Sequence, residues 1–202
     1  MTLSLQCRRQ KKKNNLVHNT VMNREAALEL IRRNLPNPNL VKHSLAVEVC
    51  MRELAGYLSE DEEEWGLAGL LHDLDYEITS EDSFNHGLVT AEMLKNEDIS
   101  EEILHAIKAH NKKIEISSKM DIALYSIDPT SGFITAVALM HPSRSLENVN
   151  LKRMKKRFKE KSFAKGADRD QMKTCEKLGL ELDDFLELCL KGMTGIKTHL
   201  GL

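Results

Sequence analysis

The stretch AGLLHDLDYE, residues 68–77, sets a histidine and an aspartate, His72 and Asp73, at the end of an apolar run whose helical phase points into a core. Burying an imidazole beside an ionised carboxylate costs several kcal/mol unless both are paired or bound. The same conflict recurs along the chain. His43, Val47, Cys50 and Leu54 form one helical stripe; so do Trp65, Ala68 and His72, then His86, Val89 and Met93, then Ile103, Ile107 and His110, and Asp128 follows Leu124 by one turn. His105 lies about 200° around its helix from Ile103, on the side expected to face water. Four histidines and two aspartates thus point inwards from five different helices. Any fold open to this chain must satisfy each of them separately or gather them.

Only 4 Pro and 10 Gly in 202 residues, with abundant Leu, Glu and Lys, predict an all-α fold. A hydrophobic content of 41% with 4% aromatic residues predicts an aliphatic core. Residues 1–21 hold five Lys/Arg, no acid and no apolar periodicity, and are expected to form a disordered basic tail. A metal-binding core is expected over 22–145, with a helical C-terminal extension, 146–202, packed on it. Asn23 caps a first helix, and Pro38 after Asn37 opens a second, about 38–58. Ser59 and Glu62 read as a capping box for a third, about 60–74. Further helices are expected over about 85–96 and 101–111, and from Met120 to Asp128, with Pro129 just beyond. GFITAVAL reads as helix or short strand, and a final helix covers about 181–192. Residues 151–165 carry eight Lys/Arg against one Glu, and Leu151, Met154 and Phe158 share a face, as on an amphipathic surface helix. The remainder is correspondingly acidic.

Cys7, Cys50, Cys175 and Cys189 lack ligand spacing and are expected to be buried free thiols in a reducing compartment. The longest apolar run, FITAVALM, is short for a membrane span, and the basic start lacks the apolar stretch of a secretory signal. A cytoplasmic location with no membrane partner is expected. A shared partner would satisfy all six inward polar residues at once. Divalent metal is the natural choice, since imidazole and carboxylate suit Zn, Fe, Mn or Ni, and six ligands exceed what one tetrahedral ion requires.

The order His43 … His72-Asp73 … His86 … His110 … Asp128 resembles the HD superfamily of metal-dependent phosphohydrolases, a family of helical bundles with the metal site between core helices. KHSLAVE, AGLLHDLDYE, FNHGLVTAEML, ILHAIKAHN and ALYSIDPTSG share its character. The order is similar to the branch with two extra histidines and a dinuclear centre, including the HD-type diadenosine tetraphosphate hydrolases. It is also similar to a group of HD hydrolases carrying DPTSGFITAVAL and a FAKGADRDQM-like stretch. The resemblance implies that His43, His72, Asp73 and Asp128 hold one divalent ion (Fe, Mn, Zn, Co or Ni), that His86 and His110 hold a second, and that Asp73 bridges them. His72 and Asp73 would then carry catalysis through the metal, on a small phosphoester such as a nucleotide. Tyr76 stands where many such hydrolases have Lys, and PTSG follows Asp128 where the dinucleotide hydrolases have Arg. Lys112, Lys113 and Arg144 are the candidates for contacting phosphate oxygens; Lys42 turns about 100° from His43 and is expected to be exposed. Two alternatives share the ligand set: a di-iron oxygenase, and a non-catalytic metal- or nucleotide-binding module. Nucleic acid is not expected as a partner.

Overall fold

A computed structural model describes residues 22–202; the expected basic tail and Cys7 lie outside the described residues. Among the described residues the chain is helical and no strand occurs. The helices are α1 (Arg24–Asn34), α2 (Pro38–Leu58), α3 (Glu62–Leu71), α4 (Tyr76–Thr79), α5 (Leu88–Leu94), α6 (Glu101–His110), α7 (Lys119–Leu139), α8 (Leu151–Phe158), α9 (Arg169–Met172), α10 (Leu182–Gly195) and α11 (Lys197–Leu200). Short 3₁₀ segments cover Leu146–Asn148 and Lys173–Leu178.

Helix α2 is the hub. It packs on α3, α7 and α10, while α6 lies against α7, α5 and α3. A Cβ at Gly69 would sit 3.0 Å from the Val47 carbonyl oxygen, so glycine permits the close approach of α3 to α2. The Asn23 side chain accepts the Ala26 N–H at 2.9 Å and starts α1. Arg24 then clamps α1 to the buried Glu48 of α2, which also accepts from Arg52. A buried carboxylate with two guanidinium partners is a paired charge and is tolerable for that reason.

Several boundaries differ from expectation. Asp61, not the Ser59–Glu62 box, caps α3, accepting the Glu63 and Glu64 N–H groups at 2.8 and 3.0 Å. Ser59 instead closes α2 in the left-handed conformation, φ 59°. Helix α3 stops at Leu71, and the segment expected as a helix from residue 85 forms turns until Leu88. The largest difference is α7, which runs unbroken through Pro129 to Leu139 and absorbs GFITAVAL. Proline cannot donate to the Tyr125 carbonyl one turn earlier. The Gln171 side-chain amide of α9 donates to that oxygen instead, at 2.8 Å, so the interruption leaves no orphaned acceptor. The joined helix has 21 residues and, by length and composition, is apolar enough to cross a membrane, yet 67% of its most apolar window is buried in the fold. It is a core helix here.

The hydrophobic core crosses residue 145 without a break: Phe185, Leu186, Cys189 and Met193 of α10 belong to the same buried cluster as Val47, Leu54 and Phe133. On α8, Met154 is buried while Leu151 and Phe158 pack against the core; Lys152, Lys155 and Lys156 are exposed, and Arg153 and Arg157 are half-buried.

Candidate metal centre

The six sequence-selected residues meet at one point. His43 comes from the first turns of α2, His72 from the C-cap of α3, Asp73 from the turn after it, His110 from the last residue of α6 and Asp128 from the middle of α7. His86 arrives differently. It sits in the turn before α5, not on the helical stripe expected for it.

Asp73 is the centre of the cluster. Its Oδ1 lies 3.2 Å from His72 Nε2, 3.1 Å from His86 Nε2 and 3.6 Å from His110 Nε2, and its Oδ2 lies 3.6 Å from His43 Nε2. Asp128 Oδ1 is 3.1 Å from His43 Nε2 and 3.9 Å from His72 Nε2. His86 and His110 bring their Nε2 atoms within 3.1 Å of each other. Two overlapping triads, His43–His72–Asp128 and His72–Asp73–His110, each gather their donor atoms within 4.8 Å.

The opposite ring nitrogens explain why the Nε2 atoms converge. His72 Nδ1 bonds the Gly69 carbonyl at 2.8 Å, and His110 Nδ1 bonds the Ile107 carbonyl at 2.5 Å. A carbonyl only accepts, so both nitrogens must carry the proton. His43 Nδ1 faces Ser131 Oγ at 3.2 Å, and His86 Nδ1 bonds Asp75 Oδ1 at 2.7 Å. The Ser131 hydroxyl gives its own proton to the Asp128 carbonyl, so it accepts from His43; in its neutral form each ring therefore keeps an Nε2 lone pair for the centre, the tautomer a metal needs.

Asp75 escaped the sequence reasoning. It is fully buried, and its Oδ2 accepts the N–H groups of Gly87 and Thr90 at 2.8 and 3.0 Å. It thereby ties the turn after α3 to the start of α5 and aims His86. Gly87 is required there: its φ is +80°, and a Cβ would meet the Ile107 carbonyl oxygen at 2.8 Å. The signal was a second carboxylate two residues after Asp73 in the same apolar text. Ser131, one turn beyond Asp128, was missed likewise.

The charges are tightly linked. Burial presses the His72 imidazole towards neutrality, but Asp73 and Asp128 outweigh it and carry its pKa up to about 9. Burial opposes His86 too, and Asp73 with Asp75 carries it up to about 10. Burial alone would raise the carboxylates; the surrounding imidazoles reverse this and hold Asp73 well below the usual range and Asp128 below it. The cluster demands positive charge at its centre.

Donors bound to one ion at about 2.1 Å lie about 3 to 3.5 Å apart, close to the 3.1–3.6 Å spacing around Asp73. His72 Nε2 is wholly buried with no hydrogen-bond partner, because its approach to Asp73 is not aligned as a hydrogen bond. An orphaned lone pair amid nitrogen and carboxylate donors fits a divalent transition ion.

The other candidates lie outside this cluster. Lys112 stands over the Tyr125 ring at 5.0 Å and Lys113 over Phe84 at 4.8 Å; Arg144 is exposed in the turn after α7. Lys42, expected to face water, instead lines a cavity together with His43. His105 is not simply in water: its Nδ1 bonds the buried Asp121 carboxylate at 3.0 Å.

A family model described as HD domain matches residues 40–173. Among curated proteins, Ribonuclease Y of Oleidesulfovibrio alaskensis is 30% identical over 94 residues, 46% of this chain and 18% of that protein. Ribonuclease Y of Lawsonia intracellularis is 35% identical over 75 residues, 37% of this chain and 14% of that protein. Ribonuclease Y of Geotalea uraniireducens is 32% identical over 94 residues, again 46% and 18%. The matched stretch thus spans less than a fifth of these relatives. No solved structure matches the chain.

Proposed function

Because the chain belongs to the HD-domain family, which its match over residues 40–173 shows, we propose that it hydrolyses a nucleotide or related phosphoester with the help of two divalent ions. The observation that carries this reading is the convergence of four imidazole lone pairs, each with its far nitrogen engaged elsewhere, on Asp73 and Asp128. In this reading His43, His72, Asp73 and Asp128 would hold one ion, and His86 and His110, together with Asp73, would hold another. Divalent metal, when bound, supplies Lewis acidity and a water acidic enough to act as hydroxide near neutrality.

The protein's own groups do the rest. Asp73, with one oxygen towards His72, His86 and His110 and the other towards His43, concentrates negative charge where cations bind. The Nδ1 bonds fix the ring orientations, and the buried His72 and His110 close the inner side to bulk water. The described thiols, Cys50, Cys175 and Cys189, are all buried; burial pushes Cys175 up to about 12 and Cys189 well above the ordinary thiol range.

The relatives' name supports a second reading, an RNA phosphodiester as substrate. One panel tests both. Manganese-, iron- or cobalt-loaded protein is offered nucleoside mono-, di- and triphosphates, diadenosine tetraphosphate, sugar phosphates and short oligoribonucleotides. Phosphate or nucleotide release is expected, equal with and without oxygen, and lost in His72→Ala and Asp73→Ala. Turnover that needs ferrous iron and oxygen, with no hydrolysis on the panel, would establish the oxygenase instead.

A further inference from the structure

Two cavities open beside His43. One, of about 410 Å³, is lined by Asn39, Lys42, Thr135, Leu139 and Leu202 among others. The second, of about 310 Å³, is lined by Asp128, Pro129 and Gly166 among others. His43 and Gly132 line both, so the two meet at the edge of the six-residue cluster. That edge is its open side: the His43 and Asp128 side chains are 24% and 28% exposed, against 0% for His72.

Gly132 is the informative residue. It lies inside α7, where glycine is the costly choice for a helix, and nothing stands within 4 Å of where its Cβ would be. No neighbouring protein atom requires the missing side chain. What a side chain would fill is the floor shared by the two cavities. Beside that floor, Lys42 is the only lysine or arginine among the lining residues of either cavity, and it makes no salt bridge among the described residues. Its Nζ stands 3.0 Å from the position a Cβ would take at Gly201. Leu139, half exposed, and Leu202 supply an apolar wall.

We propose that a phosphate mono- or diester lies across the bare face of α7 at Gly132, with one phosphate oxygen on Lys42 and its organic part against Leu139 and Leu202; the proposal rests on the phosphohydrolase reading and names its substrate class. A polyphosphate fits less well. Beyond the metal centre it would bring several negative charges beside Asp128 with a single ammonium to meet them.

The test is binding to the manganese-loaded full chain, followed by calorimetry, with adenosine monophosphate, adenosine diphosphate and inorganic phosphate as probes. The monophosphate should bind, and the diphosphate no more tightly. Lys42→Met should weaken both monophosphate and inorganic phosphate about tenfold, the size expected for one charge-assisted hydrogen bond, and Lys42→Arg should restore most of it. Gly132→Leu should weaken the monophosphate by about tenfold or more yet leave inorganic phosphate within about threefold, because it blocks the groove and not the metal edge. Metal content should match wild type in all three variants, and melting temperature should be equal or higher in Gly132→Leu. This pattern without hydrolysis of any substrate keeps the groove and removes the hydrolase. Hydrolysis by wild type with unchanged binding in Lys42→Met and Gly132→Leu overturns the groove. Failure of the monophosphate to bind wild type, or tighter binding of the diphosphate, overturns it too.

Discussion

At the scale of single residues, the cluster depends as much on what holds the imidazoles as on the imidazoles themselves. Asp75 shows how. Its carboxylate accepts from His86 Nδ1 and from two backbone N–H groups, and those bonds, working against burial, lower its own pKa. Asparagine would keep the shape and the backbone bonds but would turn an amide N–H towards His86. His86 Nδ1 would then have to accept, moving the ring proton to Nε2 and closing the lone pair that faces Asp73. If the proposed pair of ions is bound, Asp75→Asn is therefore expected to weaken one of them by about 10–100-fold, the usual cost of removing such a supporting bond, while the other stays. Metal titration followed by elemental analysis reads this directly. Full two-ion occupancy at wild-type affinity in Asp75→Asn would show that the tautomer is set by something else. Much of the cluster was legible in the sequence because helical phase is a strong signal: His43 and His110 lie on α2 and α6, and His72 at the C-cap of α3, where an inward stripe predicts. His86 was found for the wrong reason, since it reaches the centre from a turn held by Asp75 and Gly87, and tertiary hydrogen bonds of that kind leave no periodic trace. Lys42 was misjudged because a 100° turn from an inward residue places a side chain at the rim of a cavity as readily as in water.

At the scale of elements, α7 is where local rules and the tertiary structure disagree. The rule that proline ends a helix is sound for an isolated segment, because Pro129 leaves the Tyr125 carbonyl without a donor. Gln171, from a segment far along the chain, supplies that donor, and no local signal reports it. The consequence matters for the site: Ser131, which faces His43, and Gly132 both lie on the part of the helix that continues past the proline. A double-mutant cycle tests the account. Gln171→Ala alone leaves a buried acceptor unpaired, which costs about 1–3 kcal/mol. For a chain of this length that is a fall in Tm of about 2–4 °C per kcal/mol. With Pro129→Ala, the backbone N–H gained at that position can serve the Tyr125 carbonyl, so Gln171→Ala should then be nearly neutral. Equal losses from Gln171→Ala in both backgrounds would mean that the amide contributes packing alone. The cap of α3 carries the same lesson on a smaller scale. Ser59 and Glu62 matched a capping pattern, yet Asp61 won because Ser59 was already engaged in closing α2.

At the scale of the whole molecule, metal, charge and stability are one problem, because the cluster joins α2, the turn after α3, α6 and α7 at a single point. Without a cation, protons must balance Asp73 and Asp128. His72 and His86 are the groups that take them, with pKa values carried to about 9 and about 10 from the ordinary 6.5. The sign follows from linkage. A group whose folded pKa is raised contributes stability that is fully present below its unfolded value and is lost as pH rises through the folded value. Chelated protein should therefore lose stability progressively between about pH 6.5 and pH 10. Metal-loaded protein should not follow it, since ligands bind metal deprotonated and affinity rises as the competing protons leave. The gap in Tm between loaded and chelated protein should widen across this window. At free metal about 100-fold above its Kd, one ion adds about 2.7 kcal/mol. That amounts to about 5–11 °C for a chain of this size. Asp73→Ala removes the carboxylate that both ions would share and should abolish the gap at every pH. Differential scanning calorimetry of loaded, chelated and Asp73→Ala protein at about pH 6.5, 8 and 9.5, spanning the window between unfolded and folded values, measures all three terms. A gap that is absent in wild type, or that narrows as pH rises, would mean that the six residues are balanced by protons and do not form a metal centre.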